Sequence, residues 1–98
     1  MAIMMIMKWD GVTLDQYDEV KRIVDWETTP AAGGTMHATA HDGSGLRITD
    51  VWDSAEAFQT FVDSRLMPVV MQVGIAGPPD VEIYPLHDIF VPGFISGT

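Results

Sequence analysis

His37 and Asp50 are the pair of side chains best suited to chemistry in this sequence. Residues Thr35 to Asp42 and Leu46 to Asp53 read as two strands, and Asp42-Gly43-Ser44-Gly45 between them is a strong hairpin turn. If Asp42 faces Gly45, then His41 faces Leu46, Thr39 faces Ile48 and His37 faces Asp50, all on one face of the ribbon. A carboxylate directly across two strands orients the imidazole and leaves its other nitrogen free as a general base. Trp52, beyond Asp50, would supply an aromatic wall for a planar substrate. The same pair also reads as a structural hydrogen bond at a sheet surface or a dimer interface, and both readings stand.

The other candidates are weaker. Arg47, the lone positive charge of the hairpin, would bind a carboxylate or phenolate ligand if buried, or pair with an acidic neighbour if exposed. Tyr84 and Trp9 either line a pocket or pack. His41 reads as a hairpin-end histidine. His37 and His41 lie four apart on a strand, roughly 13 Å along its axis, too far for one ion, so no metal site is expected. Met4, Met5, Met7 and Met36 suit either an adaptable pocket or core filling. No glycine-rich phosphate loop, serine nucleophile elbow or HExxH motif is present.

These residues need a scaffold, and the pattern supplies one. Ala2 to Trp9 reads as a strand that is apolar on both faces: Ile3, Met5, Met7 and Trp9 point one way, Ala2, Met4 and Ile6 the other. A half-wet strand would alternate, so both faces of its sheet are expected to be covered. Thr13 to Gln16 fits a capping box. It opens a helix whose stripe is Leu14, Tyr17, Val20, Ile23 and Val24, ending near Glu27. Asp53 or Ser54 caps a second helix carrying Phe58, Phe61, Val62 and Val69 on one stripe, with Leu66 beside it. Pro68 should kink or end that helix near Met67, and Val69 to Val73 adds a further turn or two closed by Gly74. Val81 to Phe90 reads as a last strand, and Pro85 within it marks an edge or a bulge. The tail, Val91 to Thr98, carries Pro92, Phe94 and Ile95.

The order strand, helix, strand, strand, helix, strand predicts an α+β, ferredoxin-like βαββαβ fold with a four-stranded antiparallel sheet. It forms one domain over residues 1–98, with a core of about 2–90. Both helices fall on one face, so a second copy packing sheet to sheet is the simplest cover for the other. The net charge of −9 argues against nucleic acid and against an anionic membrane surface as partners. The absence of cysteine excludes disulfides and thiolate chemistry and fits a cytoplasmic location. The apolar start has no basic flank and no small-residue cleavage site, and no stretch approaches the roughly 20 apolar residues of a membrane span.

Val51-Trp52-Asp53-Ser54-Ala55-Glu56-Ala57-Phe58 resembles the strand-to-helix junction of the dimeric α/β-barrel superfamily, in particular its antibiotic-biosynthesis monooxygenase-like domains. The likeness in element order extends over about residues 2–90. It implies a ferredoxin-like protomer, a homodimer whose two sheets form a barrel, and a small pocket in each protomer. Members include cofactor-independent oxygenases of aromatic polyketides and haem-degrading enzymes. Haem-degrading members carry an Asn on the first strand, a Trp ending the third and a His on the second helix. Trp52 matches the Trp, but the first strand has no Asn, and Phe61 and Val62 stand around the His position. Haem degradation is therefore not expected. The resemblance implies a monooxygenase-like protein without a cofactor, acting on a small aromatic or hydrophobic substrate; the residues themselves nominate His37 and Asp50 for the chemistry and Trp52, Arg47 and Tyr84 for contact with the substrate. The alternative is a non-catalytic ligand-binding or interaction protein on the same scaffold.

Overall fold

β1, Ile3–Asp10, runs through the middle of a four-stranded antiparallel sheet, and the rest of the chain is arranged around it. The computed structural model describes residues 1–93. After β1 come α1 (Leu14–Val24), β2 (Gly34–His41), β3 (Gly45–Trp52), α2 (Ala55–Phe61), a π-helical turn (Val62–Leu66), α3 (Met67–Val73) and β4 (Asp80–Pro85). The strand order is β2-β3-β1-β4. This is the ferredoxin-like arrangement that the element order predicts. Of the tail, Phe94 and Ile95 lie outside the described residues.

Alternation along β1 divides the sheet into two unlike faces. Ile3, Met5, Met7 and Trp9 are buried beneath the helices, where they pack with Leu46, Ile48, Trp52, Phe58 and Val70. Met4 is half-buried, and Ile6 is 37% exposed on the other face. There β1 is flanked by Thr49 and Val51 of β3, with Met36, Ala38 and Ala40 of β2 beyond. This second face is apolar at its centre, where Ile6 is exposed although Val51 beside it is buried at 3% exposure. Among the described residues no helix is long and apolar enough to cross a membrane.

The hairpin takes the expected register: His37 opposite Asp50, Thr39 opposite Ile48, His41 opposite Leu46. The Asp42 carboxylate accepts the Ser44 and Gly45 amides at 2.8 and 2.9 Å, closing the turn. Those two bonds, more than the nearby Arg47, hold the Asp42 carboxyl below its ordinary range. At the base of the ribbon the register shifts by one between Gly34 and Met36, so Gly34 rather than Thr35 faces Trp52. A Cβ on Gly34 would lie 3.3 Å from the Ala31 carbonyl oxygen, a tight approach, and in ordinary contact with the Trp52 ring at 3.5 Å. Gly45 is fixed more tightly, since a Cβ there would lie 2.3 Å from the Trp9 carbonyl oxygen.

The helices depart from their expected ends for identifiable reasons. Thr13 and Gln16 form the predicted capping box, but α1 stops at Val24 because Asp25 turns left-handed at φ 59°. Ser54 is the cap of α2, receiving the Ala57 amide at 3.1 Å, while Asp53 accepts the Thr35 hydroxyl at 3.3 Å instead. The break before Pro68 is a π-helical turn over Val62–Leu66, with Pro68 in the first turn of α3, where its missing N–H is harmless. That turn uses one extra residue, which advances the helical phase by one position. Val70, rather than Val69, is therefore buried against the sheet, at 2% exposure. Gly74 ends the helix as expected. β4 is shorter than the predicted strand: it ends at Pro85 on the sheet edge, where a proline is tolerated, and the Leu86 amide makes one more bond to the Ala2 carbonyl at 2.9 Å.

Candidate functional site

A cavity of about 210 Å³ opens between the sheet and the helices. Met5, Met7 and Ile48 supply its sheet side, and Phe58, Phe61 and Val70 its helix side. Trp52 stands between them, with its ring 5.7 Å from Phe58 and 5.4 Å from Phe61. The walls are overwhelmingly apolar. An apolar cavity of roughly 150 Å³ already admits benzene, so this one has room for a single substituted ring.

The polar groups gather at one corner. Asp50, 6% exposed, sits on the cavity face of β3. One carboxylate oxygen lies 2.6 Å from His37 Nδ1, and the other accepts the Trp52 indole N–H at 3.1 Å. A carboxylate this buried would be costly without such partners. Outward from it, His37 Nε2 lies 2.7 Å from the Tyr17 hydroxyl and 2.9 Å from Thr39 Oγ1. The Thr39 hydroxyl is also 2.9 Å from the Tyr17 oxygen. With a neutral imidazole, Thr39 donates to Tyr17, Tyr17 donates to Nε2 and Nδ1–H donates to Asp50, while Thr39 Oγ1 lies beside Nε2 with no proton between them. The chain of bonds leads from a one-third exposed imidazole, 34% for its side chain, to the buried carboxylate. Burial is the main cause that lifts the Tyr17 phenol above its ordinary pKa. The Thr39 hydrogen bond opposes it, and the charge of Asp50 adds to it.

Local structure explains how these groups meet. Tyr17 is on the inward stripe of α1, one turn after the cap. The left-handed Asp25 folds the following residue back over the sheet, so that Trp26 packs edge-on to His37 at 5.2 Å and tilted against Tyr17 at 5.9 Å. Arg65 of the π-helical turn fixes this segment by donating to the carbonyls of Val24 and Thr29 at 2.9 and 2.7 Å. Its guanidinium also lies 5.5 Å from the centre of the Phe61 ring.

His37, Asp50 and Trp52 thus converge at the cavity, as the hairpin register places them. Two further expectations need correction. Arg47 lies on the opposite sheet face, bound to Asp42 at 2.5 Å, because it alternates with Leu46 and Ile48 along β3. Tyr84 is on that face too, opposite Met4, and donates to Glu82 at 2.7 Å, which raises its pKa. Neither lines the cavity. The second imidazole nitrogen of His37 is also not free, because Tyr17 and Thr39 occupy it. His41 has a structural place, with Nε2 3.0 Å from the Val12 carbonyl and Nδ1 receiving the Gly43 amide at 3.0 Å. Among the described residues no three His, Asp or Glu side chains group as a metal site requires.

Sequence reasoning places Tyr17 only in a packing stripe and assigns Trp26 no role. The available signal for Tyr17 is chemical: a phenol on an inward stripe needs a partner for its hydroxyl, and the facing strands offer His37 and Thr39.

No family model and no curated protein matches the chain. Solved structures do match its fold. A candidate antibiotic biosynthesis monooxygenase from Chloroflexus aurantiacus J-10-fl superposes with a TM-score of 0.64 at 18% identity, over 92% of this chain and 98% of that one. SnoaB, a cofactor-independent oxygenase from Streptomyces nogalater, gives 0.62 at 10% identity, over 90% and 94%. A dimeric ferredoxin-like protein of unknown function from Thermobifida fusca gives 0.58 at 16% identity, over 88% and 92%. The chain therefore shares the ferredoxin-like fold found among monooxygenase-like and dimeric proteins. Activity has to be argued from the site itself.

Proposed function

We propose that this chain binds a small, uncharged aromatic molecule and oxidises it with dioxygen without a cofactor, using His37 as the base and Asp50 to orient it. The observation that carries this reading is the apolar, aromatic-walled cavity of about 210 Å³ whose polar corner is an imidazole bonded to a buried carboxylate. A phenolic hydroxyl placed at that corner loses its proton toward His37, and the imidazolium forms against Asp50. The electron-rich phenolate then reacts with dioxygen through a hydroperoxide at a ring carbon. Loss of water leaves a carbonyl there: one oxygen atom enters the substrate, the other departs as water with two substrate hydrogens, and no external reductant is consumed. Trp52 supports the ring. The fold shared with SnoaB agrees with such chemistry. The lack of cysteine supports a cytoplasmic setting.

The same reading makes the protein a homodimer joined through the open sheet face, where Ile6 awaits a cover. The likeness to a dimeric ferredoxin-like protein supports this.

Oxygen uptake with a panel of phenols and hydroquinones tests the activity. Turnover that disappears in His37→Ala and is only weakened in Trp52→Phe supports it. One observation favours a second reading, non-catalytic ligand binding: Tyr17 and Thr39 already occupy His37 Nε2. Saturable binding of panel members with no oxygen consumed would select that reading.

A further inference from the structure

We propose that Tyr17 is the group that meets the hydroxyl of a bound phenol, and that it carries the proton from that phenol to His37. This rests on the reading of His37 as the base, and it assigns the contact with substrate to a different residue. The geometry points to it. A neutral imidazole offers one acceptor lone pair at Nε2, and the Tyr17 hydroxyl lies 2.7 Å from it. Thr39 Oγ1 occupies the same side at 2.9 Å. A ligand cannot reach Nε2 unless Tyr17 leaves, and Tyr17 is held by the Thr39 hydroxyl and by Trp26 against its ring. Tyr17 lines the cavity, as His37 and Asp50 do, so the residue that occupies Nε2 is itself within reach of a ligand.

The step balances without electron transfer. The phenol O–H bond breaks and its proton joins the Tyr17 oxygen. The Tyr17 O–H bond breaks and its proton joins His37 Nε2, while the Nδ1 proton stays in place, held by Asp50. The products are a substrate phenolate, an intact Tyr17 and an imidazolium against the Asp50 carboxylate. Tyr17 is suited to passing a proton rather than storing a charge. Burial, the largest cause, holds its phenol above the ordinary range against the Thr39 hydrogen bond, with the negative charges of Asp50, Asp18 and Glu27 adding to it, so it gains one proton as it gives up another.

The test uses 4-nitrophenol, whose phenolate absorbs in the visible, and 4-nitroanisole, which has a similar shape and no hydroxyl. Difference spectra are taken at a pH below that at which the free phenol ionises. Wild type should bind both and ionise the phenol. Tyr17→Phe should bind nitroanisole equally well, yet lower the ionisation constant of bound nitrophenol about tenfold, a shift of about one pKa unit. Tyr17→Met serves if the phenylalanine variant does not fold. If a Tyr17 variant with intact nitroanisole affinity ionises the phenol as wild type does, or more strongly, the relay is overturned and His37 acts directly. If His37→Gln retains full ionisation, His37 is not the base, and the proposed function fails with the relay. If wild type binds neither probe, or binds nitrophenol without ionising it, both are overturned.

Discussion

Replacing Asp50 by asparagine probes the polar corner more directly than any other single change, because the amide keeps the shape and removes only an acceptor and a charge. Asp50 accepts two hydrogen bonds from two donors, His37 Nδ1–H and Trp52 Nε1–H. An asparagine has one acceptor oxygen and one NH2. If the oxygen faces His37, the NH2 meets the Trp52 indole N–H, donor against donor. If the amide flips, the NH2 meets His37, which must move its proton to Nε2, and the Tyr17 hydroxyl must then reverse as well. Asp50 is only 6% exposed, so bulk water does not freely relieve either conflict. One hydrogen bond loses its charge assistance and one buried donor is orphaned, for a combined cost of about 2–4 kcal/mol.

That is a large share of the roughly 5–15 kcal/mol that holds a domain folded. For a chain of 98 residues it corresponds to a fall in Tm of roughly 10–25 °C. Urea unfolding of Asp50→Asn, with the m value checked for constancy, measures it. The mechanism makes a sharper demand on the double variant. Trp52→Phe removes the orphaned donor, so Asp50→Asn should cost at least about 1 kcal/mol less in that background. A single-variant loss below about 0.5 kcal/mol, within the range of surface substitutions, would refute the described network. So would strict additivity of the two changes.

Two further outcomes follow from the same geometry. Because the folded pKa of Tyr17 is raised, the folded state holds its proton after the unfolded chain has released it. Stability from this group is complete below about pH 10 and falls as pH rises beyond that. Denaturation of wild type against Tyr17→Phe across that range should show a steeper alkaline decline in wild type, and parallel curves would contradict the burial of the phenol. On the open face, Ile6→Lys sets like charges against each other at the centre of the proposed interface. Light scattering at micromolar concentration should show a dimer for wild type and a monomer for this variant, and a monomeric wild type would remove the interface altogether.

The hairpin was the most legible part of the molecule. Asp42-Gly43-Ser44-Gly45 specifies a tight turn, the turn specifies the register, and the register sets His37 across from Asp50. Period-two alternation then assigns every hairpin residue to one of two faces, yet it does not say which face lies under the helices. β2 and β3 carry polar and apolar residues on both faces, so Arg47 stayed a candidate beside Trp52, and Tyr84 of β4 stayed one because no turn fixes the register of that strand. The helices hid more. A π-helical turn leaves no mark in an apolar stripe except a one-residue change of phase, which put Val70 where Val69 was expected. Trp26 was illegible because its position depends on one left-handed residue, Asp25, that the helical pattern does not announce.

β1 links the two surfaces on which function would depend. Met5 and Met7 form part of the cavity, while Met4 and Ile6, between and beside them, face the other way. The strand is apolar on both sides because each side serves a different contact, one within the chain and one proposed with a second copy. The strict period of two separates the consequences of substitution: a change at Ile6 leaves the cavity wall intact, and a change at Met5 leaves the open face intact. The coupling left between them runs through backbone position, since a second sheet packed on the open face would fix the twist of β1 and β3. Asp50 and Trp52 hang from β3, and their 3.1 Å bond depends on that twist. Assembly would then influence the site by holding the carboxylate and the indole in register, without contributing a single atom to the cavity.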